Sequence, residues 1–108
     1  MQGIGLETVL LSMNKGYVYF LTNYRRTTIY IGVTSNIYSR VWKHKLGEGS
    51  LFSSKYKLTI LVYAEEHDNI SDAIAREMQL KNWHRQWKWN LVKEFNPTLE
   101  DWYETLRG

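Results

Sequence analysis

Two short runs, residues 16–22 and 28–33, are dense in β-branched and aromatic side chains and are separated only by the polar stretch Asn23-Tyr24-Arg25-Arg26-Thr27. Strand-forming runs joined by so short a polar loop read as a β-hairpin. Side chains alternate along a strand, so Val18 and Phe20 face one way while Tyr17, Tyr19 and Leu21 face the other. On the second run Ile29, Ile31 and Val33 form the apolar side, leaving Thr28, Tyr30 and Gly32 opposite. If both apolar sides share one core, Tyr19 and Tyr30 must share the other face.

A helix is expected next, with Ser35 as hydroxyl N-cap and a body from Asn36 to about Leu46. Residues four apart lie on one helix face, which makes neighbours of Arg40 and His44 and, separately, of Ile37 and Val41. Two phenols, a guanidinium and an imidazole then converge, an inventory suited to holding a phosphate and moving a proton. Further on, 58–63 reads as a third strand after a Lys/Ser-rich loop. Ser71 or Asp68 would cap a helix running to about Trp83, a second helix covers about 85–95 until Asn96-Pro97 breaks it, and 98–106 reads as a terminal helix. The expected fold is α/β, in the mixed α+β sense: a small three-stranded, mainly antiparallel sheet flanked by helices. The five tryptophans read as core and helix-packing residues.

At 108 residues the chain is one globular domain, large enough for a real core but not for a second domain, so function must reside in that domain or in its partners. Without cysteine it has no disulfide framework and no thiolate metal site; any metal would take oxygen or imidazole ligands. No run of about 18 apolar residues suggests a membrane span and no basic start suggests a signal peptide, so the expected compartment is cytoplasmic. Residues 1–12 read as an extension ahead of Met13, a natural opening for a domain at 13–108. Positive charge is concentrated: residues 14–57 carry eight basic residues against Glu48 alone, a net of +7, while 58–108 is net −3. The tyrosines thus lie in the segment with the charge expected of a phosphate-backbone surface.

Glu77 is oddly placed for an acid. Ala73, Ile74 and Leu80 are its helical neighbours, which puts it in or beside the stripe that should face the core. Carboxylates are seldom buried unless paired or bound to a cation. Lys81, four residues on, offers an ion pair worth about 0.2–1 kcal/mol.

Tyr17-Val18-Tyr19, Tyr30-Ile31-Gly32-Val33-Thr34-Ser35-Asn36, the Arg40 to His44 helix, Ala75-Arg76-Glu77 and Phe95-Asn96-Pro97 together resemble the GIY-YIG endonuclease family, in particular small single-domain members similar to the nuclease domain of the UvrC repair protein. The resemblance runs from about Gly16 to Leu106, with Tyr17 in the glycine slot of the first tripeptide and Val18 in place of isoleucine. It implies an endonuclease that hydrolyses DNA phosphodiester bonds, structure-selective or weakly sequence-selective, in repair or recombination. It also implies one divalent ion, Mg²⁺ or Mn²⁺, held by Glu77. Arg40 would bind a non-bridging oxygen, and Tyr19 would act on the attacking water with Tyr30 and His44 beside it. Asn96, preferred to Asn90 on the Phe-Asn-Pro match, would support the site. A phenol with an ordinary pKa of about 10 needs its phenolate favoured to act as a base.

Arg25, Arg26, Lys43, Lys45, Lys55 and Tyr56, with Tyr24 at the hairpin tip, are the expected nucleic-acid contacts. The partner is nucleic acid, DNA before RNA, with room for a protein that supplies specificity and with a monomer or weak homodimer as the expected state. Two other classes stay open on sequence: an inactive nucleic-acid-binding module, and a subunit of a repair complex.

Overall fold

A computed structural model describes residues 15–107 of the chain; the extension read at 1–12 lies outside the described residues. The two runs do form a hairpin, β1 (Gly16–Thr22) and β2 (Ile29–Thr34), and β1 is central because β3 (Ile60–His67) pairs along its other edge. Both pairings are antiparallel, which makes the sheet wholly rather than mainly so, with Tyr19 opposite Gly32 and Leu21 opposite Tyr30. The loop is tied by the Asn23 side chain, whose Oδ1 accepts from the Thr27 and Thr28 amides at 2.9 and 3.2 Å.

Strand alternation separates two cores as the sequence requires. Val18, Phe20 and Ile31 pack with Val62, Tyr63, Ala73, Leu80 and Val92 on one face. Tyr19, Leu21 and Leu61 pack with Ile37, Val41, Leu58 and Tyr103 on the other. A register shift between Phe20 and Leu21 allows the consecutive residues Val62 and Tyr63 to enter the same core. α1 (Ile37–Lys45) therefore lies on the tyrosine face, while α3 (Ile70–Lys81) and α4 (Arg85–Phe95) cover the other. Among the described residues no helix is long and apolar enough to cross a membrane.

Several boundaries move for local reasons. Asn36, not Ser35, caps α1, its side chain accepting from the Ser39 amide at 3.1 Å. Asn69, not Ser71 or Asp68, caps α3 through the Asp72 amide at 2.8 Å. β3 continues past Tyr63 because its acids find partners: Glu65 takes Arg76 and His67, and Glu66 accepts from the Tyr17 hydroxyl. The Lys/Ser-rich loop contains a short helix, α2 (Leu51–Lys55), capped by Ser50. Of the tryptophans, Trp89 is buried but Trp42 and Trp87 are half exposed, so packing accounts for only some of them.

The expected helix at 98–106 shrinks to α5 (Tyr103–Arg107), and Asn96 is the reason. Its buried amide donates to the carbonyls of Val62 and Glu100 at 3.0 and 2.9 Å, and its Oδ1 accepts from the Glu100 amide at 3.1 Å. Asp101 follows suit, accepting from the amides of Leu61 and Tyr103. Together they fold 96–101 onto the edge of β3 instead of into a helix. Asn96→Ala should strand buried backbone groups and cost roughly 1–3 kcal/mol of stability, read as a lower denaturant midpoint.

Candidate active site

The hairpin register places Tyr19 directly across from Gly32, and its phenol lies over that glycine. A Cβ at position 32 would come within 2.4 Å of the Tyr19 hydroxyl and ring, so only glycine leaves space for the phenol there. Gly49 does the same for His44, whose Nδ1 would sit 2.0 Å from an added Cβ. Both glycines are cavities for the reach of one aromatic ring.

Around Tyr19 the side chains expected from the sequence do gather. Arg40 Nε donates to its hydroxyl at 3.3 Å, and His44 Nε2 lies 2.9 Å from it. Tyr30 stands half-buried beside them, its ring centroid 6.2 Å from Tyr19 and 5.2 Å from His44. Arg40 can only donate, so the Tyr19 oxygen accepts there. Ser53 Oγ donates to the Ser50 carbonyl at 3.3 Å, which leaves it to accept from His44 Nδ1 and leaves Nε2 to accept from the Tyr19 hydroxyl. The imidazole is neutral in this setting. Burial, reinforced by the Arg40 charge, lowers its pKa from 6.5 to about 4. Its remaining proton then sits on Nδ1 and is donated to Ser53 Oγ at 2.9 Å, which also accepts from Ser50 Oγ at 2.9 Å.

Burial also raises the Tyr19 pKa to about 12, against a lowering by the Arg40 hydrogen bond. Tyr19 is thus a fixed phenol and not a ready phenolate. Arg40 is anchored by Tyr19 and by the Gly49 carbonyl, which Nη2 reaches at 2.9 Å, and also interacts with the Tyr30 phenol. Its five N–H donors outnumber these partners.

Other expected residues fall elsewhere. Glu77 belongs to α3, across the sheet, and shares no hydrogen bond with Tyr19, Tyr30, Arg40 or His44 among the described residues. Its carboxylate is 14% exposed and pairs with Lys81 at 3.5 Å. Its neighbour Arg76 is tied to Glu65 on β3. Asn96 is occupied by the backbone bracket described above, whereas Asn90 is exposed on α4.

The basic set also divides. Arg26 is bound to the Leu99 and Tyr24 carbonyls, and Lys45 to the Thr59 carbonyl and Asp101, so both are structural ties. Arg25, Lys43 and Lys55 are exposed and form no ion pair among the described residues.

Ser50, Ser53 and Gly49 went unnoticed in the sequence because α2 did. The signal was Ser50 standing ahead of Leu51-Phe52, a hydroxyl cap before an apolar pair.

A sequence model of the GIY-YIG catalytic domain matches residues 15–90. The chain is 32% identical over 82 residues to a UPF0213 protein of Staphylococcus haemolyticus, covering 76% of this chain and 99% of that relative. A UPF0213 protein of Staphylococcus saprophyticus is 33% identical with the same coverage, and one from Staphylococcus aureus is 34% identical over 67 residues, 62% of this chain and 82% of that one. No solved structure gives a significant match.

The geometry predicts two effects. Gly32→Ala should cost roughly 1–3 kcal/mol by overpacking, seen in denaturant unfolding. His44 makes stability pH-dependent: the unfolded imidazole takes its proton near 6.5 and the folded one only near 4. Between those values the unfolded chain binds more protons, so this contribution is complete above about pH 6.5 and is lost as pH falls toward 4. His44→Gln should flatten the fall of the unfolding midpoint between pH 6.5 and 4.5, relative to the unmodified chain.

Proposed function

The chain belongs to the GIY-YIG family, and from that premise we propose that it is a divalent-metal-dependent endonuclease hydrolysing DNA phosphodiester bonds, with weak sequence selectivity, in repair or recombination. The observation that carries this reading is the Arg40–Tyr19–His44 hydrogen-bonded set beside Tyr30. A structural role alone would not require a buried neutral imidazole, a glycine void for a phenol and a guanidinium with donors to spare, all at one spot.

In this mechanism Arg40 holds a non-bridging phosphate oxygen through its remaining donors and offsets charge that develops in the transition state. Tyr19, held as a phenol between Arg40 and His44, positions Arg40 and is unsuited to be the base. Tyr30 is the more exposed phenol and is better placed to orient the attacking water. Ser53 fixes the tautomer in which His44 accepts from Tyr19.

Among the described residues no three His, Asp or Glu side chains cluster as a metal cage. A lone carboxylate whose protein partner is one lysine suits an ion that keeps most of its water, such as Mg²⁺ or Mn²⁺. Glu77 would hold that ion, whose chemistry when bound is Lewis-acid stabilisation of charge on the phosphate and the leaving oxygen. Asn96, whose buried side chain is engaged by backbone, would support the site by holding the segment that follows α4 and not by touching the substrate.

The test is cleavage of single-stranded, duplex and branched DNA by the purified chain under Mg²⁺ or Mn²⁺ titration. Tyr30→Phe should lower the rate about 10²–10⁴-fold, and Arg40→Ala about 10²–10³-fold. Glu77→Ala should abolish metal-dependent cleavage while retaining DNA binding in chelator. A Tyr19→Phe variant should retain more of the rate than Tyr30→Phe does. Absence of cleavage by the unmodified chain on every substrate, with binding intact, would leave a binding module instead.

A further inference from the structure

α2 has two sides with different roles. Its inner side presents Ser53 to His44. Its outer side presents Leu51, Phe52 and Tyr56 to solvent, 93%, 47% and 46% exposed. These rings are continuous with the site: Phe52 stacks on Tyr30 at a centroid distance of 6.5 Å and an interplanar angle of 26°, and Tyr56 follows Phe52 at 4.8 Å. A five-residue helix gains little by exposing so much apolar surface unless something covers it.

The surrounding charge identifies the occupant. From Gly49 to Ala64 the chain has no acidic residue, while Lys55 and Lys57 bracket Tyr56. Lys55 holds its ammonium 5.4 Å from the centre of the Tyr56 ring. Exposed aromatic faces flanked by cations, leading away from a phosphate-binding arginine, match the chemistry of a polynucleotide strand whose bases are out of the stack. A base inside a duplex has both faces already covered and would find no use for the Phe52 ring.

We propose that Phe52 and Tyr56 form a stacking subsite for an unpaired nucleobase flanking the scissile phosphate, with Lys55 and Lys57 on the adjoining backbone, so that the preferred substrate is single-stranded or locally unpaired. This rests on the nuclease reading for the position of the phosphate, and it gives that reading a substrate class. The same short helix then couples two tasks. Its outer side carries the rings and its inner side carries the Ser53 contact to His44.

The test measures binding in chelator, where no turnover is needed, so the subsite can fail without the nuclease reading failing and the reverse. Short single-stranded oligonucleotides, DNA and RNA, are compared with a blunt duplex of equal length, each also with an abasic position next to the phosphate that the unmodified chain cleaves. Without cleavage, the abasic position is walked along the strand. Phe52→Leu, which keeps apolar volume and removes the ring face, should weaken single-strand binding about tenfold, leave duplex binding unchanged, and be rescued by Phe52→Trp. On the abasic strand the Phe52→Leu loss should vanish, since ring and base act as one pair. Trp87→Ala, on the opposite face, should bind as the unmodified chain does. The proposal is overturned if Phe52→Leu weakens duplex and single strand alike, if its effect persists on every abasic strand, or if it changes self-association and not binding.

Discussion

A single phenol, Tyr19, fixes the geometry of this protein. Its hydroxyl is held between the guanidinium of Arg40 and the imidazole of His44, and its ring occupies the space that Gly32 leaves open. Each neighbour then becomes constrained. The hairpin register must bring residue 19 opposite residue 32, α1 must present positions 40 and 44 together, and the chain after α1 must pass His44 without a side chain at Gly49. Ser53 closes the set by taking the imidazole proton that Tyr19 does not need. Hydrogen bonds buried at low dielectric are strong when complete and costly when broken, which keeps such a cluster in one arrangement.

The cations are divided between scaffold and surface. Arg26 and Lys45 look like ligand-binding residues in the sequence, yet they close the fold by bonding to carbonyls and to Asp101. That leaves Lys43, Lys55 and Arg25 on the outside, with Arg40 the cation embedded in the site. Asn96 makes the same point for a polar residue, since its side chain closes the turn after α4 through Glu100 and ties it to Val62 on β3. Residue type and approximate position mark where a charge lies, but the partner decides whether it is available.

The titratable groups show why burial matters for chemistry as well as stability. Desolvation keeps His44 neutral and Tyr19 protonated near neutral pH, so the central cluster positions rather than exchanges protons. Outward from this cluster lies Tyr30, the phenol nearer to water, and outward again lie the aromatic rings of α2. Glu77 lies on a helix of the other layer, paired with Lys81.

The alternation of Val18, Phe20, Ile29 and Ile31 against Tyr19, Tyr30 and Gly32 determined the hairpin, its two faces and the sharing of one face by both phenols, because strand periodicity is a local property. The four-residue spacing of Arg40 and His44 determined their alliance for the same reason. Local patterns also located α4 to the residue, since Asn96-Pro97 stops a helix wherever it occurs. What the sequence could not decide was anything set by partners distant along the chain. The choice of Asn36 and Asn69 as caps, the continuation of β3 through its acids, the use of Arg26 and Lys45 as ties, and the placing of α2 under His44 all depend on contacts that exist only after the chain has closed on itself.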